Sequence, residues 1–575
     1  METIKLENLT FTYEGASTPT IKDISLSIEK GTINLILGRS GSGKTTLLRQ
    51  FKSTLVPNGK REGIVIFEGK DSKRIDPKEE VRRIGYVPQN PNTAMLTDRV
   101  YSDLAFVPES LGLSNNTIRQ QVAETAHYFE LDDIFLKKTN ELSGGEKQLV
   151  SIASAMVTRP SVLLFDEPTA SLDPGMAYKF FNLIKKINEE LGTTIIITEQ
   201  RSEYIFEMAD KIFVMDGGNL IISGSRREVI KQLSALETLD GVKNLLPTTV
   251  KLFSKLGITP DKCPVTIKDA RKLLAETYAG AGASPMAQEE RKQREQGIST
   301  DSLKGFVHSE SIESIPAESS TTLLELKSVA ARYETGPEVL RNVDLSVNTG
   351  EVFCLFGGNG AGKSTIFKTL LGQMPERDGV VKYENAKVRK LPTGAGNVVY
   401  IPQDPLTMFT EITVTDEIMS LKAYGLADVT EEEATNTLIK YRLNNFRDLH
   451  PYDLSGGQRQ LLALAKAFCL KPKLLLMDEP TKGMDPEFKE ELQDILKDYV
   501  AQGNAALIAT HDVEFSANVA TTCALLFDGE IATTAEPHIF FGENTLYKTK
   551  ASAIASELLP GAITLDEVLQ RIGEN

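Results

Sequence analysis

The chain has 575 residues, 41% of them hydrophobic and 25% charged, which is ordinary for globular protein and long enough for about three to four domains. The net charge of −15 argues against a broad nucleic-acid footprint, and no run approaches the roughly 18 to 20 apolar residues of a membrane span. The start, Met1 to Lys5, lacks the pattern of a secretory signal, and Cys263, Cys354, Cys469 and Cys523 form no C-x-x-C pair, which favours reduced thiols over a metal or disulfide framework.

Ile4 to Leu9 reads as a first strand. A second, Asn34 to Leu37, runs into Gly38-Arg39-Ser40-Gly41-Ser42-Gly43-Lys44-Thr45, with Thr46 behind it. This is the phosphate-loop pattern G-x-x-x-x-G-K-[ST]. Its glycines let backbone N–H groups approach an anion, and the following helix start adds partial positive charge. Lys44 is then expected on the β- and γ-phosphates, and the Thr45 hydroxyl on Mg²⁺. Tyr86-Val87-Pro88-Gln89 follows, and helical segments fill the stretch from Gln89 to Leu142-Ser143-Gly144-Gly145-Glu146. These segments read as an inserted helical subdomain. The apolar strand Val162 to Phe165 ends in Asp166-Glu167. A carboxylate at a strand end can hold Mg²⁺, and its neighbour can polarise the attacking water, so Asp166 is the metal-side acid and Glu167 the general base.

Beyond Glu228 to Thr238 the first half closes. Val250, Phe253 and Leu256 then sit at helical spacing, and Thr266 to Asp269 resembles a helix cap. From Gly280 to Ser320 the chain is small, polar and charged, as expected of a linker. The whole pattern then returns. Strand Leu324 to Val329 is followed by strand Val352 to Phe356 and by Gly357-Gly358-Asn359-Gly360-Ala361-Gly362-Lys363-Ser364, with Thr365 behind it. Tyr400-Ile401-Pro402-Gln403, Leu454-Ser455-Gly456-Gly457-Gln458 and Leu474 to Met477 with Asp478-Glu479 complete the second set. Lys363, Ser364, Asp478 and Glu479 take the roles of Lys44, Thr45, Asp166 and Glu167. The separation between copies is nearly constant, which marks a duplicated fold. The alternation of strands and helices predicts an α/β core with a largely parallel sheet in each half. The segment from Leu558 to Asn575 reads as one amphipathic helix with Thr564 near its start.

This order of motifs resembles the ATP-binding cassette family over both halves, almost end to end. The resemblance implies two tandem nucleotide-binding domains, at 1–238 and 321–548, each a P-loop core with an antiparallel β subdomain and a helical subdomain. Residues 239–320 form a helical extension and linker, and 549–575 a helical tail. It implies ATP and Mg²⁺ as ligands, with Gln89 and Gln403 sensing the metal and a transport partner. Ser143, Gly144 and Gly145, and Ser455, Gly456 and Gly457, with Glu146 and Gln458 behind them, are the signature elements that bind the γ-phosphate held by the opposite cassette. Ser171-Leu172-Asp173 and Gly483-Met484-Asp485 match the loop that crosses between cassettes. Tyr13 and Tyr333 match the aromatic that stacks on adenine. His511 matches the switch histidine, and Gln200 stands at that position in the first half. Glutamine can donate to a γ-phosphate but cannot carry a proton. The second site is therefore expected to carry most of the turnover.

Asp103 to Leu113 and Thr198-Glu199-Gln200-Arg201 are similar to the ATPases of energy-coupling-factor importers. Gln403 to Phe409 and Glu479 to Asp485 are similar to the second half of fused members of that group. That likeness implies a peripheral subunit on the cytoplasmic face of the membrane. Its partners would be a transmembrane scaffold subunit and a small membrane subunit binding a vitamin, vitamin precursor or metal ion. The alternative is a soluble two-cassette ATPase of the ribosome or another RNA assembly, which would need phosphate-neutralising basic clusters. A chromosome or DNA-repair cassette would need a heptad run, and none exists.

Overall fold

The computed structural model describes residues 2–170, 172–200, 202–236, 240–278, 321–334, 336–358, 360–374, 376–544 and 547–573. Ser171, Arg201, Asn359 and the whole Gly280 to Ser320 linker lie outside the described residues, as do Thr238 and Asn575. The chain divides into two compact units, Met1–Val265 and Thr266–Asn575. The described residues of the 239–320 segment are thus shared between both units.

In the first unit the strands are β1 (Glu2–Tyr13), β2 (Ile21–Glu29), β3 (Ile33–Gly38), β4 (Gly59–Phe67), β5 (Lys70–Asp71), β6 (Ile84–Val87), β7 (Val162–Asp166), β8 (Thr194–Glu199), β9 (Lys211–Asp216) and β10 (Asn219–Gly224). An antiparallel sheet runs β2-β1-β4-β5. A second sheet runs β10-β9-β3-β8-β7-β6, parallel except for β10. Every residue of β3, β7 and β8 is buried. Such continuous apolar runs suit parallel strands covered on both faces.

The second unit repeats this with β11 (Thr322–Arg332), β12 (Glu338–Asn348), β13 (Val352–Phe356), β14 (Glu376–Tyr383), β15 (Ala386–Lys387), β16 (Val398–Ile401), β17 (Leu474–Asp478), β18 (Ala505–Ala509), β19 (Thr522–Phe527) and β20 (Glu530–Ala535). Here one parallel bridge, Asn342 to Glu530, joins the two sheets into a single sheet of order β15-β14-β11-β12-β20-β19-β13-β18-β17-β16. The fold is therefore α/β, built from two cassette-like units. The helical inserts lie where expected: Val100–Ser110 and Asn115–Tyr128 in the first, Val414–Ala423 and Glu431–Lys440 in the second.

Beyond its last strand each unit continues into helices. In the first these include Asp240–Lys243 and Thr248–Lys255, the latter burying Val250, Leu252 and Phe253. The helix Ile267–Tyr278 belongs to the second unit. It buries Ala270 and Leu274, and Arg271 Nε donates to Ala553 O of the helix Lys550–Ala555. The stretch expected as one helix from Leu558 to Asn575 is helical only over Leu565–Gly573, and a separate helix, Lys550–Ala555, precedes it. Pro560 and Gly561 lie between the two helices, the glycine at φ 79, and Thr564 caps Leu565–Gly573 by accepting from Glu567 N at 3.2 Å.

Candidate functional site

The first phosphate loop follows from the all-buried β3, and the helix Lys44–Gln50 opens behind it with Gly43 at φ 96. A side chain at Gly43 would meet Thr20 O at 3.0 Å, so a left-handed, crowded position selects glycine. Lys44 is buried, and its ammonium donates to Gly38 O at 2.9 Å and Arg39 O at 3.0 Å. It also pairs with Glu167 Oε1 at 3.2 Å. In the second unit Gly362 takes φ 107, and Lys363 donates to Gly357 O at 2.7 Å and sits 3.7 Å from Glu479 Oε1.

The acids arrive from the ends of β7 and β17. Thr45 Oγ1 donates to Asp166 Oδ1 at 2.8 Å, and Thr198 Oγ1 donates to the same oxygen at 3.1 Å. Ser364 makes the matching bond to Asp478. Burial pushes both aspartates above the ordinary carboxylate range, more than these hydroxyl bonds pull them down. Glu167 and Glu479 both hold the left-handed region, at φ 41 and 51. Neighbouring strands pin that strained turn: Glu167 N donates to Thr198 O at 3.1 Å, and Glu479 N to Ala509 O at 2.8 Å.

The two glutamates face different partners. Gln200 Nε2 donates to Glu167 Oε1 and Oε2 at 3.0 and 3.1 Å, and Gln89 Nε2 to Oε2 at 3.1 Å. In the second unit His511 Nδ1 lies 2.7 Å from Glu479 Oε2, off the line of a regular hydrogen bond, and His511 N donates to that oxygen at 3.3 Å. Burial would raise the Glu479 carboxyl, but His511 and Lys363 together hold it below its ordinary value. Gln403 is exposed after β16.

The structure thus gathers Lys44, Thr45, Gln89, Asp166, Glu167 and Gln200 in one unit, and Lys363, Ser364, Asp478, Glu479 and His511 in the other. Gly41 and Gly360 take φ 77 and 84 within the loops, and Ser40 and Gly358 line them. Ser143 and Ser455 instead start the helices Gly144–Met156 and Gly456–Cys469. Each closes a capping box: Glu146 accepts from Ser143 N at 2.7 Å, and Gln458 from Ser455 N at 2.9 Å. Gly145 and Gly457 lie in the first turns. The tyrosines differ. Tyr13 OH shares a hydrogen bond of 2.9 Å with Thr46 Oγ1, whereas Tyr333 is 41% exposed under the Lys368 ammonium, 5.7 Å from the ring centre. Thr365 is buried.

Sequence reasoning missed two groups. Tyr86 OH donates to Asp166 Oδ2 at 3.3 Å, and Tyr400 bonds Asp478 in the same way. Burial and the adjacent carboxylate push Tyr86 up to about 12. The signal was a tyrosine at the same place ahead of each glutamine. Lys482, mostly buried, is pulled below its ordinary value by that burial, against the attraction of Glu479, Asp404 and Asp478. The equivalent position in the first unit is Ala170.

The ABC transporter family matches at residues 21–170 and 340–482. A protein of Bacillus thuringiensis subsp. konkukian named "Putative ABC transporter ATP-binding protein" is 34% identical over 570 residues, covering 98% of each chain. Same-named proteins of Streptomyces coelicolor and Methanosarcina mazei are 33% and 30% identical and cover 92% of this chain and 93% and 88% of their own. Among solved structures, cbiO1 from Clostridium perfringens, described as part of the ABC transporter complex cbiONQ, is 31% identical with a TM-score of 0.37 and covers 40% of this chain and 94% of its own. No described helix is long and apolar enough to cross a membrane. Two phosphate loops, each beside paired acids at a strand end, and relatives matched over nearly their full length lead to one conclusion: this chain belongs to the ABC transporter family and is an ATP-binding ATPase with two fused cassettes.

Proposed function

We propose that the chain is the ATP-hydrolysing subunit of a membrane importer of the energy-coupling-factor type. ATP binding closes the cassettes head to tail, hydrolysis reopens them, and a separate transmembrane scaffold carries that motion to a small membrane subunit that binds a vitamin, vitamin precursor or metal ion. The observation that supports a membrane partner is a set of exposed apolar side chains between each glutamine segment and the signature segment that follows it. Leu96, Tyr101, Phe106 and Leu136 are exposed in the first unit, and Ile412, Tyr424 and Leu449 in the second. Large apolar side chains left exposed are what a docking partner would cover. The acidic total charge and the importer-like Asp103 to Leu113 stretch point the same way.

Within each site the residues divide the work. Loop N–H groups and Lys44 or Lys363 take the phosphates, the lysine exchanging its carbonyl partners for phosphate oxygens. Thr45 with Asp166, and Ser364 with Asp478, are already hydrogen-bonded as an oxygen pair that suits Mg²⁺, and Gln89 and Gln403 are assigned to sense that metal. The metal, when bound, neutralises charge developing on the phosphates. Glu167 and Glu479 orient and deprotonate water. Gln200 and His511 face the γ-phosphate side, and Tyr13 and Tyr333 the base.

Fractionation tests the partner. Expressed with its cognate membrane subunits, the chain is expected in the membrane fraction, and without them in the soluble fraction. Recovery with ribosomes, unaffected by those subunits, would favour the RNA-assembly alternative.

A further inference from the structure

In both cassettes a glutamate stands three residues past the switch position, Glu203 after Gln200 and Glu514 after His511. Both carboxylates reach the same kind of target, the start of a helix in the cassette's own C-terminal extension. Glu203 Oε1 accepts from Thr248 N at 2.9 Å and from Thr248 Oγ1 at 2.6 Å, at the head of the helix Thr248–Lys255. Glu514 Oε1 accepts from Lys550 N at 2.7 Å, at the head of the helix Lys550–Ala555. A carboxylate at a helix N-terminus is favoured by the free N–H groups there and by the helix dipole. The two extensions differ in sequence and length, yet each returns to the switch segment at the same point.

Around these contacts the switch is held at both ends. Thr510 N donates to Leu355 O at 3.0 Å on the strand side of His511. On the other side Asp512 pairs with Lys489, and Glu514 holds the extension. In the first unit Ser202 Oγ adds a bond to Leu245 O of the extension. There the extension also touches the phosphate loop, since a side chain at Gly241 would meet the Arg39 guanidinium at 3.2 Å.

We propose that Glu203 and Glu514 are positioning residues through which each cassette's C-terminal extension sets the switch side chain, Gln200 or His511. The extension then acts on hydrolysis rather than only on folding. A load on the helix Lys550–Ala555 then reaches the switch segment through the Glu514 carboxylate. The inference rests on reading Gln200 and His511 as γ-phosphate-side residues.

The test uses the full chain with steady-state phosphate release. Glu514→Ala is expected to lower kcat about tenfold while KM for ATP stays within about twofold, the signature of lost geometry in the reacting state. Glu514→Gln keeps an oxygen that accepts Lys550 N–H and is expected within about twofold of the parent. Removing residues 549–575 is expected to match Glu514→Ala, and the combination to be no worse than either, because both cut the same link. Removing the tail also deletes the buried Ile554 and Ala555 and bares the apolar surface they cover, so the two point variants decide alone if the shortened chain does not fold. An unchanged kcat in Glu514→Ala, or losses that multiply in the combination, overturns the proposal. Failure of the underlying site reading is distinguishable: Glu479→Gln then retains hydrolysis. A chain silenced by Glu479→Gln but indifferent to Glu514→Ala keeps the site and loses the link.

Discussion

At the scale of single residues, the two sites share their acids and differ in what faces the glutamate proposed as the base. Gln200 spends its amide N–H groups on both oxygens of Glu167, while His511 approaches one oxygen of Glu479 and can carry a proton. Glu479→Gln is expected to lower steady-state ATPase by about 100-fold, within the range of a lost general base, and Glu167→Gln by less. Phosphate release at saturating ATP checks this, and a larger loss in Glu167→Gln would reverse the assignment. The tyrosines add a second expectation. Tyr86 and Tyr400 bond Asp166 and Asp478, the aspartates proposed to hold the metal, so Tyr86→Phe and Tyr400→Phe should free each carboxylate to turn. Mg²⁺ titrations of nucleotide binding should then need about fivefold more metal in each, near the 1 kcal/mol of one hydrogen bond. Unchanged metal dependence would make these tyrosines packing groups. Motif spacing exposes Lys44, Asp166 and Glu167 because their order along the chain is their signature. It cannot expose the tyrosine bond, because strand tyrosines are common and only the pairing of β6 with β7 and of β16 with β17 puts each hydroxyl beside its acid.

Among elements, the antiparallel sheets carry a duplicated irregularity. Between Glu7 and Thr10, and between Lys327 and Ala330, the register slips. Asn8 and Ser328 take φ 50 and 48 there, opposite Gly63 and Gly379 at φ 86 and 87. A methyl group at Gly379 would lie 2.3 Å from Ser328 O, and at Gly63 2.4 Å from Asn8 O. Gly379→Ala is therefore expected to destabilise the second unit by about 1–3 kcal/mol, measured by urea unfolding, with nucleotide affinity retained in the folded fraction. A neutral result would mean the bulge can flatten. Strand existence was readable from apolar runs such as Val162 to Phe165. The late start of the tail helix at Leu565 depended on Pro560 and Gly561, which periodicity over Leu558 to Asn575 passes over.

Across the whole molecule, the duplication extends past the cassettes into their extensions. The described helices beyond Glu228 divide at Val265, so Thr248–Lys255 packs with the first unit and Ile267–Tyr278 with the second. Burial of Val250 and Phe253 in one, and of Ala270 and Leu274 in the other, explains the division, since each short helix needs an apolar surface to cover its stripe. Leu96, Tyr101 and Phe106 after the first glutamine segment, and Ile412 and Tyr424 after the second, remain exposed on the single chain, consistent with the proposed membrane partner.

The amino-acid sequence by itself determined the chemistry of this protein. Phosphate loops, strand-end acids and signature segments are local patterns whose residue types and spacing follow from what a nucleotide requires. It also determined the α/β class, because apolar strand runs alternating with helices can be buried in few ways. Tertiary structure decided which carboxylate meets which partner: Glu167 with Gln89 and Gln200, Glu479 with His511, and Glu203 and Glu514 with helices 45 and 36 residues further on. Those contacts join segments far apart in the chain, so packing selects them and no local periodicity encodes them.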